Sequence, residues 1–328
     1  MIPACAAAAR LALATCLLVI ATHTAAAFAQ AYPARAIRLV VPFPAGGGID
    51  ALARLVGAPL GEAIGQPVVI ENHPGATGNL GNELVAKAAP DGYTLVVAAN
   101  SVTINPSMPG MRAPDPAAAF APVTKLVTIP IVVAVAPSFA ARSLPELLAL
   151  ARKSPGKLAY ANQGIGSTSH MAAALLSLRA NVELLQVPYS GLGTVIRDVI
   201  TGEIPIVFSS TGTVTPFVRN GQLRALAVTG ARRSSALPDV PTVAESGFPG
   251  FDVSSWYGVL APAGTPPEIV DRLHAEIARV LARPEVRDSL AQLGMQPVGN
   301  TPAQFAAEIS ADVERWARVV RDARIGVR

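Results

Sequence analysis

The sequence predicts an α/β protein with two cores, and three observations carry that expectation. One unit recurs from residue 37 onward: a short apolar run, a turn of small polar residues, then a helical stretch. The chain has 328 residues, 51% hydrophobic and 15% charged, enough to enclose two cores rather than one. Two apolar runs, TIPIVVAVAP (128–137) and QLRALAVTG (222–230), stand apart from the repeated units and read as crossovers, which makes the segment between them an inserted domain.

The first unit is IRLVVPFPAGGGIDALARLV (37–56), a strand that passes through Gly46, Gly47 and Gly48 into a helix. Its spacing is not G-x-G-x-x-G, because Ala51 stands where the closing glycine belongs, and no Lys follows to make a phosphate loop. What remains is more general. Glycines let backbone N–H groups approach a ligand, and a helix start offers unpaired donors to an anion. A plain βα turn with Asp50 as N-cap is the competing reading, and Asp50 as partner of a ligand ammonium or hydroxyl stays open beside it. Pro59 is expected to kink the helix.

The later units follow in order. PVVIE (67–71) leads through NHPGATGN into LGNELVAKAA, and YTLVVAA (93–99) ends in Asn100-Ser101. KLAYA (157–161) leads through NQGIGSTSH, VELLQVP (182–188) through YSGLG, and IPIVFSS (204–210) through TGT. Such alternation predicts mostly parallel sheets. The C-terminal third reads as helical. Thr265-Pro266-Pro267-Glu268 and Thr301-Pro302-Ala303-Gln304 each have the capping-box pattern with Pro at the first helical position. Phe305, Ile309, Val313, Trp316 and Val320 recur at helical spacing as a core stripe.

Composition excludes several classes. Arg10, the run LALATCLLVIATHTAAAFA and the A-x-A pattern Ala27-Phe28-Ala29 make residues 1–29 a secretory signal peptide, with Gln30 the expected first mature residue. Cys5 and Cys16 both fall inside it, so the mature chain has no thiol for a disulfide or a metal. Formal charge is +4, only four of the 26 basic residues are Lys, and the basic residues are scattered, which argues against a nucleic-acid partner. His73, His170 and His274 lack metal-ligand spacing, so no metal or cofactor is expected.

Each polar turn alone reads as structural. Together, turns at strand ends in two facing lobes make a cleft rich in N–H and hydroxyl donors. No Lys or Arg occurs in 42–50, 72–82, 98–105, 160–170, 188–194 or 208–216. An anion there meets helix N-termini, amides, Thr77, Asn79, Ser101, Ser167, Thr168 and water, each terminus contributing ~0.3–1 kcal/mol. A different class stays open: a secreted hydrolase using Ser167 or Ser169 with His170 and Asp50, although no G-x-S-x-G elbow exists. A solute sensor for a signalling receptor is a third.

The blocks YPARAIRLVVPFPAGGGIDALAR, GQPVVIENHPGATGNLGNELVAKAAPDGYTL, FAPVTKL, GSTSHMA, VPYSG, LRALAVTGARRSSALPDVPTVAESGFPGF and SWYGVLAPAGTP span essentially everything after the leader. They resemble the Bug-type periplasmic solute receptors of tripartite tricarboxylate transporters. The resemblance implies a two-lobed, type II periplasmic-binding-protein-like fold with the ligand cleft between two doubly wound α/β domains. Residues 30–128 plus 229–328 would form one domain and 129–228 the inserted one. It implies a periplasmic monomer without enzymatic activity or cofactor. Such a receptor closes over a small carboxylate (a di- or tricarboxylate, an acidic amino acid or an aromatic acid) and passes it to membrane transporter subunits.

Carried over by position, the carboxylate meets the turn of Gly46, Gly47, Gly48 and Asp50 and the turn of Gly75, Ala76, Thr77 and Asn79, with bridging waters. Further contacts come from Asn100, Ser101, Gly166, Ser167, Thr168, His170, Tyr189, Gly191, Ser209 and Ser210. The chain departs from the family pattern at Ile49, where a small hydroxyl residue is common, and at His73, which replaces an Arg. Residues 108–119 lack the usual tyrosines and Lys-Asp pair, and SSTGT (209–213) replaces acidic or amide residues. These departures bear on the ligand, not on the fold.

Overall fold

β-Branched residues dominate the first strand, β1 (Ile37–Val41), and Gly47 ends the turn that starts α1 (Gly48–Ile64), a helix that continues through Pro59. This computed structural model describes residues 32–189 and 192–326. The leader with Cys5 and Cys16, and Gly191, lie outside the described residues. After α1 come β2 (Val68–Asn72), a 3-10 turn at Ala76–Gly78, α2 (Asn79–Ala86) and β3 (Thr94–Ala99), which runs into the short α3 (Ser101–Ile104). A further short helix, α4 (Pro116–Ala119), precedes β4 (Phe120–Val135), a strand of 16 residues. Then follow α5 (Leu144–Lys153), β5 (Ala159–Asn162), α6 (Thr168–Ala180), β6 (Leu185–Pro188), α7 (Leu192–Ile200), β7 (Ile206–Ser210), α8 (Thr211–Arg219) and β8 (Arg224–Val228). The chain ends with β9 (Ser254–Pro262), α9 (Pro267–Ala282), α10 (Pro284–Gln292), β10 (Gln296–Pro297) and α11 (Pro302–Asp322).

The strands lie in the order β2-β1-β3-β9-β4-β7-β5-β6, with β8 and β10 also paired to β4. β1 is parallel to β2 and β3, and β5 is parallel to β6 and β7. Every pairing of β4 and β9 is antiparallel. The sheet is therefore mixed rather than mostly parallel. The reason is topological: β4 leaves the first half of the sheet while β9 returns to it alongside, so the two run in opposite directions. β–α alternation reports only the local units on either side.

β4 changes partners along its length. Phe120 to Pro130 face β9, whereas Ile131 to Val135 face β7 and β8. At this change Thr229, fully buried, ties three segments together. Its N–H donates to the Ile131 carbonyl at 2.8 Å, and its own carbonyl accepts from Val253 N at 2.8 Å. Its hydroxyl accepts from Ile131 N at 3.1 Å and donates to the Val253 carbonyl.

Each half of the sheet has its own apolar interior. Leu39, Leu52, Val56, Leu95, Leu273 and Ile277 pack in the first, and Val133, Leu147, Met171 and Phe208 in the second. Helix α11 serves both ends of the sheet: Phe305 and Ile309 pack with Trp256, while Trp316, Val319 and Val320 join the second interior. Val313 is only half-buried, and the buried position beside it is Asp312, which accepts from Trp256 Nε1 at 3.0 Å and pairs with Arg315. The box at Thr301 forms, with Gln304 N donating to Thr301 Oγ1 at 3.2 Å and Thr301 N to Gln304 Oε1 at 3.0 Å. The box at Thr265 does not form. Pro266 takes the cap position, and the Thr265 hydroxyl donates back to the Pro262 carbonyl at 2.7 Å.

Replacing Thr229 by Val keeps the volume but leaves the Val253 carbonyl without its hydroxyl donor. The expected cost is ~1–3 kcal/mol in urea unfolding; an unchanged midpoint would mean that the clasp adds nothing to stability.

Candidate functional site

The two halves of the sheet enclose a cavity of about 810 Å³, within the usual range for small-molecule sites. The first wall is the β1–α1 turn from Phe43 to Ile49, with Thr77, Ala99, Asn100 and Ser101, the β9 residues Ser255 and Tyr257, and Leu293 and Met295. The opposite wall is Gln163, Gly166, Ser167, Thr168, Tyr189, Val195, Ser210, Gly212 and Thr213, with Ile129 of β4 between them. None of these lining residues carries a formal charge.

Among the described residues, two helices besides the one-turn α3 begin at this cavity without a side-chain cap. α1 starts after Gly47, and α8 starts after Ser210, whose hydroxyl bonds Thr213 Oγ1 at 2.9 Å instead. Their first N–H groups are therefore not claimed by a capping side chain, and the positive dipole ends of both helices line the space. Helix α6 differs: Ser167 caps it, its Oγ accepting from His170 N at 3.2 Å and donating to the Gly164 carbonyl at 2.7 Å.

The turn that carries Thr77 is conformationally costly. Gly75, Ala76, Thr77 and Gly78 have φ of 140°, 48°, 55° and 91°, a left-handed run that includes a β-branched residue. Each non-glycine there costs about 1–3 kcal/mol and persists only where its surroundings impose it. Asn105 supplies part of that support, donating to the Thr77 carbonyl at 3.3 Å and to Asn79 Oδ1 at 2.7 Å. Asn79 in turn donates to the Arg112 carbonyl at 2.9 Å, so its amide braces the turn from behind. Close by, the Ser101 hydroxyl is buried at the cavity wall with no protein partner.

Asp50 does not cap α1 and lies outside the cavity lining. Gly47, not Asp50, occupies the cap position, and the Asp50 carboxylate is buried behind the turn. It accepts from Gly46 N at 3.0 Å, from Arg54 Nε at 3.1 Å and from Asn72 Nδ2 at 3.0 Å. The Arg54 guanidinium above all, then the Gly46 amide, pushes its carboxyl down to about 2. Asn72 also donates to the Phe43 carbonyl at 3.1 Å, so Asp50 and Asn72 together fix the glycine turn.

The serines and histidine of the α6 turn do not form a nucleophile–base pair. His170 Nδ1 accepts from Gly166 N at 3.2 Å, which makes it the unprotonated nitrogen of a neutral ring. Ser167 Oγ turns to backbone groups and to Ser169 Oγ at 3.0 Å. Burial lowers the His170 pKa to about 4. This is the bonding of a capped helix start.

Of the residues expected at the site, Gly46, Gly47, Gly48, Thr77, Asn100, Ser101, Gly166, Ser167, Thr168, Tyr189 and Ser210 line the cavity. Asp50, Gly75, Ala76, Asn79, His170 and Ser209 stand outside that lining. The sequence reading missed the apolar surface from Phe43, Ile129, Val195, Tyr257, Leu293 and Met295. Phe43 adjoins the glycine turn and could have been included. Leu293 and Met295 arrive from a distant loop, and nothing local marks them. Among the described residues there is no group of three or more His, Cys, Asp or Glu placed to hold a metal, and no helix long and apolar enough to cross a membrane.

An uncharged, donor-lined cleft between two α/β halves is the architecture of a solute receptor. The family described as tripartite tricarboxylate transporter family receptor matches residues 52–325, and the chain belongs to it. Protein BugT of Bordetella pertussis is 37% identical over 300 residues, 90% of this chain and 91% of that one. The structure of R. palustris Rpa4515 with adipate is 35% identical with a TM-score of 0.76, covering 90% of this chain and 99% of that chain. MatC from Rhodopseudomonas palustris with bound malate is 34% identical with a TM-score of 0.72, covering 88% and 100%. The two-lobed α/β fold and the Bug-type family expected from the sequence are thus the ones found, with the sheet mixed.

His170 gives the stability a pH signature. Its folded value, about 4, lies below the 6.5 of a free imidazole, so the unfolded chain takes up the proton first as pH falls. Stability is intact above about pH 6.5 and lost progressively toward pH 4, by on the order of 3 kcal/mol. Asp50 and Glu71, both held at about 2 by arginine partners, lose their contribution only at lower pH, as it falls from about 4 through 2. Urea unfolding of wild type and His170→Gln across pH 7 to 4 should show the steep slope in the wild type alone; equal slopes would contradict the assignment.

Proposed function

We propose that the chain is a periplasmic receptor that closes its lobes over a small carboxylate and delivers it to the membrane subunits of a tripartite tricarboxylate-type transporter. Residues 1–29 are removed as a leader, 30–128 with 229–328 form one lobe, and 129–228 form the other. The protein works as a monomer and returns its ligand unchanged. The observation that carries this reading is the cavity lined by N–H and hydroxyl donors with no charged side chain. An anion there is stabilised by fixed dipoles and ordered water instead of a guanidinium clamp. The adipate and malate complexes of relatives support the carboxylate class.

The lining also discriminates within that class. Uncapped helix starts on opposite walls suit a ligand with an acid group at each end. Phe43, Ile129, Val195, Leu293 and Met295 suit an apolar body between them. Among the described residues no acidic side chain lines the cavity to receive an ammonium, and Asp50 is engaged behind the turn. A linear dicarboxylate therefore fits better than a tricarboxylate or an amino acid.

Thermal-shift titration with adipate, malate, citrate, benzoate and 2-aminoadipate tests this. A ligand at a hundred times its Kd raises stability by about 2.7 kcal/mol. Adipate should give a larger shift than 2-aminoadipate and citrate, and each bound acid should be recovered intact. No shift with any of the five would contradict the receptor reading.

A further inference from the structure

Gly212, at the start of α8, and Gly294, in the turn after α10, come from opposite walls of the cavity and meet backbone to backbone. A Cβ on Gly212 would stand 2.5 Å from the Leu293 carbonyl oxygen, and a Cβ on Gly294 would stand 2.6 Å from both Cα and N of Gly212. Fully buried Thr211 adds a hydrogen bond across the same contact, its Oγ1 donating to the Gly294 carbonyl at 3.1 Å. Each side is anchored to a different part of β4. The Gly294 turn leads into β10, which pairs with Val127 and Thr128, while α8 follows β7, which pairs with Ile131 to Val135.

The two glycines differ in what their own elements require. Gly294 has a φ of 68° and ends α10 in a left-handed turn, so its local backbone already asks for glycine. Gly212 has no such local reason. Its backbone is helical, and in a helix alanine is favoured over glycine. The atoms that exclude a side chain at 212 all belong to the opposite wall: Leu293 and Gly294. Leu293, Met295, Gly212 and Thr213 line the cavity at this point, so the contact closes one of its sides.

We propose that Gly212, Gly294 and Thr211 form the latch of the closed state, and that Gly212 serves closure instead of folding. The inference rests on the receptor reading for its purpose, and on backbone geometry for its existence. Substituting alanine at 212 fills the latch with a methyl group that only separation of the walls can accommodate. The open form keeps its helix and loses nothing.

The test uses the mature protein with Gly212→Ala, measured with whichever of adipate, malate and benzoate binds the wild type most tightly. The ligand-free melting temperature should hold or rise, while affinity falls roughly ten- to a hundredfold, the scale of overpacking a close contact. A second arm needs no ligand. Beyond residue 29 the chain has no cysteine, so Thr213→Cys with Leu293→Cys can be bridged selectively across the cleft by a short bis-maleimide. Adding Gly212→Ala should slow that bridging severalfold. Unchanged affinity, or a ligand-free melting temperature that falls with the affinity, overturns the latch. If no carboxylate binds the wild type, the receptor reading fails by itself, and the bridging rate alone decides: slower bridging upholds the latch, equal rates refute it.

Discussion

Backbone N–H groups at the starts of α1 and α8, left without side-chain caps, are what the surrounding structure maintains. A buried amide without a partner costs about 1–3 kcal/mol, so such donors are kept where water or a ligand can take them up. The three glycines from 46 to 48 bring the main chain to the cavity surface, and Asp50 fixes the turn from behind through Gly46, Arg54 and Asn72. The charges of Asp50 and Arg54 are thus spent on the shape of the turn. What faces the cavity is dipolar, which lets an anion enter without first displacing a counter-ion from an arginine.

The scaffold places these donors on both sides of one long strand. β4 carries first-half pairing as far as Pro130 and second-half pairing from Ile131, and Thr229 gathers the outgoing and returning chain at that change. A second set of bonds connects the cavity to the returning segment. Asn100 Oδ1 accepts from Trp256 N at 2.6 Å, the Trp256 indole donates to Asp312, and Arg315 joins Asp312 to the Asp252 carbonyl at 2.8 Å. Burial raises the Asp312 pKa against the pull of Arg315, the expected balance for a carboxylate enclosed with one cation. Asn100 at the cavity wall is therefore tied through β9 to helix α11.

Local chemistry was legible in the sequence, and long-range geometry was not. The strand–turn–helix units could be read because apolar runs and small polar turns are short-range signals, and the glycine turn at 46–48 needed no partner to be noticed. The stripe Phe305, Ile309, Trp316 and Val320 emerged from helical spacing alone. The antiparallel centre of the sheet depends on which strands become neighbours, which no local pattern encodes. Thr265 had the composition of a capping residue, but Pro266 beside it took the cap position. Asp50 and His170 have the composition of functional residues and stand behind the surface they shape. Leu293 and Met295 reach the cavity only because α10 returns the chain there.

The most direct measurement is a crystal structure of the protein with its tightest carboxylate. The account predicts acid oxygens bonded to N–H groups and hydroxyls of the Gly46–Gly48 turn, Thr77 or Ser101, and the α8 start, either directly or through one water. An arginine or lysine clasping the ligand, or a ligand seated there without an acid group, would contradict it.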